Sequence, residues 1–138
     1  MLKLEIDFYK QKHWNKFVVF KENLYQKEFS EDEKNNLSQI LNEWKNTTVL
    51  LFLNGEIIGE AAYLIEKNFI TILQFRLLEK YLGNQMGKKL IDFLKSYYKD
   101  YNIEVIVENG TLIENGLINY YKKLGFEIVD QTHMRLIK

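Results

Sequence analysis

The sequence has no cysteine and no proline, and only seven of its 138 residues are glycine. The absence of cysteine excludes a disulfide scaffold, a thiolate zinc site and a cysteine nucleophile, and it fits a reducing compartment. Without proline, the ends of helices and strands must be indicated by glycine and by capping residues.

An excess of charge and a long apolar run are also missing. The chain carries 19 Lys and Arg against 19 Asp and Glu, so its formal net charge is zero. Proteins that bind a nucleic-acid backbone are usually basic, and we expect no nucleic-acid partner here. No apolar run approaches the span of a bilayer, and the opening MLKLEIDFYKQK is too charged for a signal peptide. We therefore expect a cytoplasmic protein without a membrane partner.

The chain has only two histidines, His13 and His133, which lie far apart in the sequence. No pattern of Ser or Asp accompanies them. The sequence therefore predicts neither a hydrolase triad nor a metal site.

What the chain does have is apolar content of 46%, with nine Phe and nine Tyr. This composition predicts one globular domain over residues 1–138 with a sizeable core. The expected fold class is α/β, with helices packed on a mixed sheet in the order β-α-α-β-β-β-α-β-α-β-β. We find no internal repeat and no linker.

Several local patterns define these elements. Asn54-Gly55 between two apolar runs indicates a hairpin, and Ser30 with Glu33 forms a capping box at a helix start. Strands are predicted at 2–8, 49–53, 57–65, 69–78, 103–107, 126–128 and 134–137, and the strand at 69–78 is expected to be covered on both faces. Four helices are predicted. The first spans 13–25, and the second follows Ser30 and has the buried stripe Leu37, Ile40, Leu41 and Trp44. The third follows Gly83 with the stripe Met86, Leu90, Leu94 and Tyr97, and the fourth ends before Gly125 with the stripe Leu117, Tyr120, Tyr121 and Leu124.

The stretch YLGNQMGKKLIDFL, residues 81–94, joins the predicted central strand to a helix. A glycine-containing loop at a helix N-terminus can bind phosphate through its backbone N–H groups. The spacing fits neither the ATP-binding loop nor the three-glycine dinucleotide fingerprint. The alternative is that Gly83 belongs to an ordinary turn and that Gly87 allows close packing.

A second stretch, NGLINYYKKLGFEIV at residues 115–129, ends in Tyr121-Lys122-Lys123-Leu124-Gly125-Phe126. Together the two stretches resemble the GCN5-related N-acetyltransferase superfamily (GNAT), and the order of elements resembles that fold along roughly the whole chain. Two positions depart from the family pattern, because Leu82 replaces a usual Arg or Gln and Gln85 replaces a usual glycine. Glu114 occupies the place of a frequent family asparagine, with Asn115 next to it.

The resemblance implies that the protein binds acetyl-CoA as acetyl donor, with no metal. The diphosphate is expected on the backbone of Leu82, Gly83, Asn84, Gln85, Met86, Gly87 and Lys88, with Asn115 and Tyr121 also contacting the cofactor. The pantetheine arm is expected to pair with the backbone of Phe75, Arg76, Leu77 and Leu78. A splay between that strand and 103–107 would form the slot, and this splay is likewise implied by the family.

The implied reaction transfers the acetyl group to a primary amine by direct attack in a ternary complex. Tyr121 matches the general acid of the family, and an unperturbed tyrosine, with a pKa near ~10, is protonated at neutral pH. The alternative is an ordinary core tyrosine. Glu60 and Glu79 are candidate bases acting through a water molecule, with a solvated surface carboxylate as the alternative for each.

The acceptor is expected to be a small-molecule or peptide amine. Gln74, Trp14 and Tyr63 are the candidate substrate contacts, with Phe17 and Trp44 as further lining, although core packing explains the aromatic residues equally well. The resemblance also allows a homodimer. Two alternatives stay open, namely a non-catalytic acyl-CoA-binding or protein-interaction module of the same fold, and a plain α/β scaffold without a cofactor.

Overall fold

The computed structural model describes residues 3–82, 85–106, 118–130 and 132–136. Its strands are β1 (Leu4–Phe8), β2 (Thr48–Leu53), β3 (Glu56–Glu66), β4 (Phe69–Leu77), β5 (Asn102–Ile106), β6 (Phe126–Ile128) and β7 (His133–Leu136). Its α-helices are α1 (Trp14–Tyr25), α2 (Glu31–Trp44), α3 (Met86–Tyr97) and α4 (Ile118–Lys123). This element order confirms the predicted one. The predictions for Gly83, Asn84 and Asn115 fall outside the described residues.

The described strands form one sheet in the order β1-β2-β3-β4-β5-β7-β6. Only β4 and β5 run parallel, and α3 makes the crossover between them. All other neighbouring strands are antiparallel. The sheet is therefore mixed, as the sequence predicts.

Local sequence signals explain where two elements begin. Asn54 and Gly55 have φ angles of 51° and 84°, the left-handed values that a two-residue hairpin turn needs, and they join β2 to β3. At the start of α2, the Ser30 hydroxyl accepts the Glu33 N–H at 3.2 Å, and the Glu33 carboxylate accepts the Ser30 N–H at 3.1 Å. The predicted hairpin and capping box are both confirmed.

Each face of the sheet is covered by a pair of helices. On one face, Val49, Leu51 and Ile72 pack with α3 and α4, for example against Leu90 and Leu94. On the other face, Leu50, Phe52 and Ile57 pack with α1 and α2, for example against Phe17 and Leu41. Successive residues of β2 alternate between the two clusters, as expected for a central strand.

Three predictions about burial are wrong in part. Ile40 and Tyr97 are 57% and 60% exposed, although both fall in predicted buried stripes. Ile40 lies at the rim of a cavity, and the Tyr97 ring packs at the surface against Phe8, with centroids 4.9 Å apart. β4 is not covered on both faces, because Gln74 on the α1–α2 side is exposed.

Candidate active site

A β-bulge lies in the middle of β4. Ala62 of β3 pairs with Gln74 and Tyr63 pairs with Ile72, so Leu73 has no partner in the ladder. An extra residue of this kind shifts the alternation of side chains by one. Leu73 and Gln74 consequently both face the α1–α2 side and line the same cavity.

β4 and β5 separate just before this bulge. Their parallel register runs from Phe69 with Asn102 to Ile72 with Val105. β4 continues to Leu77, and no described residue pairs with it on the β5 side beyond Ile72. Leu78 donates its N–H to Ile58 of β3 at 2.9 Å. Because successive N–H groups of a strand alternate in direction, the N–H of Leu77 points away from β3, to the side on which no described residue pairs with this part of β4.

The N-terminus of α3 is not closed by its own N-cap residue. Gln85 occupies that position with φ 60° and ψ 15°, and its side chain makes no capping hydrogen bond. The first turn of α3 contains no acidic residue, whereas that of α2 contains three. Lys88 pairs with Asp92 at 2.7 Å, and Lys89 is exposed. The partial positive charge of this helix end is therefore not neutralised by an acid in its first turn.

Gly87, in the first turn of α3, is packed so closely that a side chain does not fit. A Cβ atom there would overlap the hydroxyl of Tyr120, and it would lie 3.3 Å from both Phe75 Cε1 and Leu77 Cδ1. The glycine therefore allows the start of α3 to lie close against β4 and α4, and Gly87 itself is buried there.

Tyr121 lies on the same face of the sheet, in the packed core. Its ring contacts those of Phe75, Tyr120 and Phe126, with centroids 6.2, 5.3 and 5.8 Å away. Burial raises the pKa of Tyr121 to about 12, with a smaller contribution from Tyr120 and partial compensation by the positive charge of Arg76. The phenol is therefore protonated at neutral pH.

A cavity of about 460 Å³ opens on the opposite face, between the sheet and the first two helices. Its lining includes Phe17, Lys21 and Tyr25 from α1, Leu37, Ile40 and Trp44 from α2, and Thr48, Glu60 and Gln74 from the sheet. Its volume falls within the range of small-ligand sites, which is about 300–1,000 Å³.

An ion pair lies at the inner end of this cavity. Lys21 Nζ contacts Glu60 Oε1, and the two residues are only 5% and 1% exposed. The Lys21 ammonium also lies 5.3 Å from the Phe17 ring centroid and 5.7 Å from that of Phe20. The expected alternative for Glu60, a solvated surface carboxylate, is wrong, because Lys21 allows this carboxylate to be buried. Glu79 is exposed, in a short 3-10 helix after β4.

The structure brings some of the predicted site residues together and keeps others apart. Glu60 and Gln74 line the large cavity, whereas Trp14 lines a separate recess of about 20 Å³. Tyr63 is fully buried in the core, where its hydroxyl contacts that of Tyr98 at 2.5 Å. Trp14 and Tyr63 therefore do not line the cavity, and Leu82 is 52% exposed beside the start of α3.

Lys21 is a cavity residue that the sequence reasoning missed. It follows Phe17 by four residues, so a positive charge falls on the apolar face of α1. Glu60 likewise interrupts an apolar strand. Two opposite charges on apolar faces indicate a buried ion pair. The sequence alone does not predict that Lys21 and Glu60 are in contact.

The family comparison agrees with this geometry. A model of the acetyltransferase (GNAT) family matches residues 9–126. The chain belongs to the GNAT acetyltransferase family. No curated protein matches the sequence.

Solved structures of similar fold span nearly the whole chain. PaiA N-acetyltransferase from Thermoplasma acidophilum, solved with coenzyme A, is 17% identical, with a TM-score of 0.70 and coverage of 99% of both chains. PH1933 from Pyrococcus horikoshii OT3 is 18% identical, with the same TM-score and coverage. Arabidopsis thaliana Naa50, solved with the bisubstrate analogue CoA-Ac-MVNAL, is 18% identical, with a TM-score of 0.62 and coverage of 96% of this chain and 95% of that one. At this identity the similarity shows the fold.

Two further observations concern only the described part of the chain. No helix there has the length and apolarity that a bilayer crossing requires. No group of three or more His, Asp or Glu side chains in the described ranges could hold a metal ion.

Proposed function

We propose that the protein is an acetyl-CoA-dependent N-acetyltransferase whose acceptor is a primary amine. The observation that carries this proposal is the edge of β4 beyond Ile72, with which no described residue pairs on the β5 side. This edge lies between the start of α3, where Gln85 makes no capping hydrogen bond, on one face and the cavity on the other. A thioester held along it would be open to an amine from the cavity.

The described residues fit the cofactor in two respects. The amides of Met86, Gly87 and Lys88 belong to a helix end whose first turn has no acidic residue, which suits a diphosphate. The N–H of Leu77 on this edge of β4 is a donor for the pantetheine arm or for the oxygen of the thioester carbonyl. Bound acetyl-CoA supplies an activated acetyl group.

The chemistry needs a base for the amine and an acid for the sulfur. The reaction forms an amide C–N bond and breaks the thioester C–S bond, and the proton lost by nitrogen balances the one gained by the thiol. Glu60 on the cavity side is the candidate to take a proton through a water molecule, with Lys21 fixing its orientation. Tyr121 on the other face is the candidate to protonate the leaving thiolate. A backbone donor near Leu77 would stabilise the oxyanion.

Thermal unfolding with and without acetyl-CoA tests the binding site. At a hundredfold excess over its dissociation constant the ligand adds about 2.7 kcal/mol, which should raise the Tm by roughly 10 °C. Lys89→Glu reverses a charge in the fourth position of α3 and should weaken acetyl-CoA about tenfold. Lys34→Glu is the matched control. It makes the same change in the fourth position of α2, whose N-terminus is closed by a capping box, and it should leave acetyl-CoA binding unchanged. An unchanged melting shift in both variants would contradict the diphosphate assignment.

The role of Tyr121 needs a separate kinetic test. Tyr121→Phe should lower kcat by about 100-fold, the low end for general acid catalysis, and should keep the melting shift with acetyl-CoA. Tyr120→Phe is the matched control, because its phenol is on the same helix and burial also raises its pKa to about 12. Normal turnover by Tyr121→Phe means that another group protonates the thiolate.

The alternative is a non-catalytic acyl-CoA-binding module of the same fold. The observation that favours it is Gln85, a non-glycine residue with φ 60° at the start of α3. A left-handed conformation costs such a residue about 1–2 kcal/mol. A melting shift with acetyl-CoA but no thiol release with any amine would support this module over the enzyme.

A further inference from the structure

We propose that the cavity between α1, α2 and the sheet selects amines that have a single amino group and a large apolar body. This inference rests on the proposed acetyl transfer and specifies its acceptor. It follows from the apolar wall, from the pairing of the charges in the cavity and from the cavity volume.

The wall of the cavity contains large apolar side chains that remain exposed to solvent in the folded protein. Tyr25 and Ile40 line it and are 54% and 57% exposed, the first on α1 and the second on α2. The Phe29 ring stacks on that of Tyr25, with centroids 6.3 Å apart and planes at 23°. Trp44 and Leu73 continue the wall inward. An apolar acceptor body would remove this surface from water.

The charged side chains among the described lining residues are already paired. There are three of them, namely Lys21, Glu33 and Glu60. Lys21 and Glu60 pair with each other at the inner end, and Glu33 pairs with Lys27 at the rim. The reacting amino group is neutral when it attacks, whereas a polyamine or an aminoglycoside would bring further ammonium groups that stay charged, and no described lining carboxylate is left for them. Burying such a charge unpaired is costly.

The volume of about 460 Å³ suits an aromatic ring or a branched alkyl group with a short linker. Two kinds of acceptor share this chemistry. One is a free arylalkylamine, and the other is a chain N-terminus whose first side chain is large and apolar. Both place a single amine a few bonds from the apolar body.

Thiol release with acetyl-CoA and a panel of amines tests the selection. The panel is 2-phenylethylamine, a tripeptide amide that begins with Phe, one that begins with Gly, and spermidine. We expect kcat/KM for 2-phenylethylamine or for the Phe peptide to exceed that for spermidine at least tenfold. Turnover of 2-phenylethylamine alone, or of the Phe peptide alone, supports the proposal and shows whether the acceptor is a free arylalkylamine or a chain N-terminus. A preference for spermidine or for the Gly peptide overturns it and leaves acetyl transfer intact.

Ile40→Gln gives a second readout. The loss of apolar contact should raise KM for the preferred amine about fivefold to tenfold at nearly constant kcat, because the contact is equal in the ground state and the transition state. Ile128→Gln is the matched control, since Ile128 is 48% exposed on β6, away from the cavity. An equal KM in both variants overturns the proposal.

Binding can also be followed without turnover. Trp44 lines the cavity and Trp14 does not, so emission of the Trp14→Phe variant reports on the cavity. A saturable change with 2-phenylethylamine, and none with spermidine, supports the proposal even if no amine releases thiol, in which case only the transferase assignment fails. No change with 2-phenylethylamine at millimolar concentration, together with no thiol release from it or from the Phe peptide, overturns the proposal.

Discussion

On the α3–α4 side of the sheet, buried apolar side chains form one continuous cluster, whereas the α1–α2 side holds a smaller cluster beside a cavity of about 460 Å³. The first side contains the candidate acid Tyr121, and the second contains the paired Lys21 and Glu60. Under the proposed function, the first face mainly provides stability and the second face binds the acceptor. Apolar truncations on the first face should therefore mainly change stability, and those on the second should mainly change which amine is used.

Glu60→Leu should have the largest effect on stability, although Glu60 lies on the cavity side. It leaves the buried Lys21 ammonium without its partner, which typically costs about 3–5 kcal/mol. The double variant Lys21→Met with Glu60→Leu removes both charges and should stay within about 1 kcal/mol of the unchanged protein. Urea unfolding measures both. An equal loss in the single and double variants would mean that packing, not charge, explains the effect.

Two leucine truncations compare the faces directly. Leu94→Ala on α3 removes a fully buried side chain and should lower the free energy of unfolding by about 3 kcal/mol. Leu37→Ala on α2 removes a half-buried side chain from the cavity wall and should cost below about 1 kcal/mol. The measurement is again urea unfolding. Similar losses would show that the cavity is filled in solution.

Alkaline pH should weaken the α3–α4 side by a smaller amount. Because burial raises the pKa of Tyr121 to about 12, the folded state keeps this proton to higher pH than the unfolded state. The stability that it contributes is complete below pH ~10 and is lost as the pH rises toward 12. By pH 11 the loss from Tyr121 is about 1.4 kcal/mol.

Urea unfolding at pH 8 and pH 11 checks this expectation. Tyr121→Phe should lose about 1.4 kcal/mol less between the two values than the unchanged protein does. Tyr25→Phe removes an exposed hydroxyl on the cavity side and is the matched control. If Tyr121→Phe loses as much as the unchanged protein, the Tyr121 hydroxyl is in water.

The sequence predicted the element order and two local motifs because these depend on short-range chemistry. Asn54-Gly55 needs only left-handed backbone angles, and Ser30 with Glu33 needs only the first turn of a helix. The family prediction is confirmed for the same reason, since the stretch from Tyr121 to Phe126 is a contiguous motif.

The cavity could not be predicted, because its main features join residues that are distant in sequence. Lys21 and Glu60 are 39 positions apart, and only the packing of α1 on β3 brings them together. The sequence contains a weak indication of the bulge at Leu73. The polar residues of β4, Thr71, Gln74 and Arg76, are three and then two positions apart, whereas a regular strand would alternate every two residues. Ile40 was expected to be buried because helical spacing places it on the apolar face of α2. The spacing does not show whether another element covers that face, and here Ile40 stays exposed.

The turns that join β2, β3 and β4 also have a consequence for folding. Residues 48–77 form a meander with tight reversals at Asn54-Gly55 and Lys67-Asn68, so their contacts close short loops. The pairing of β1 with β2 and of β4 with β5 closes longer segments. Since short loops cost the least chain entropy, we expect this meander to form first. The bulge and the sheet side of the cavity would then be in place before α3 and α4 pack on the opposite face.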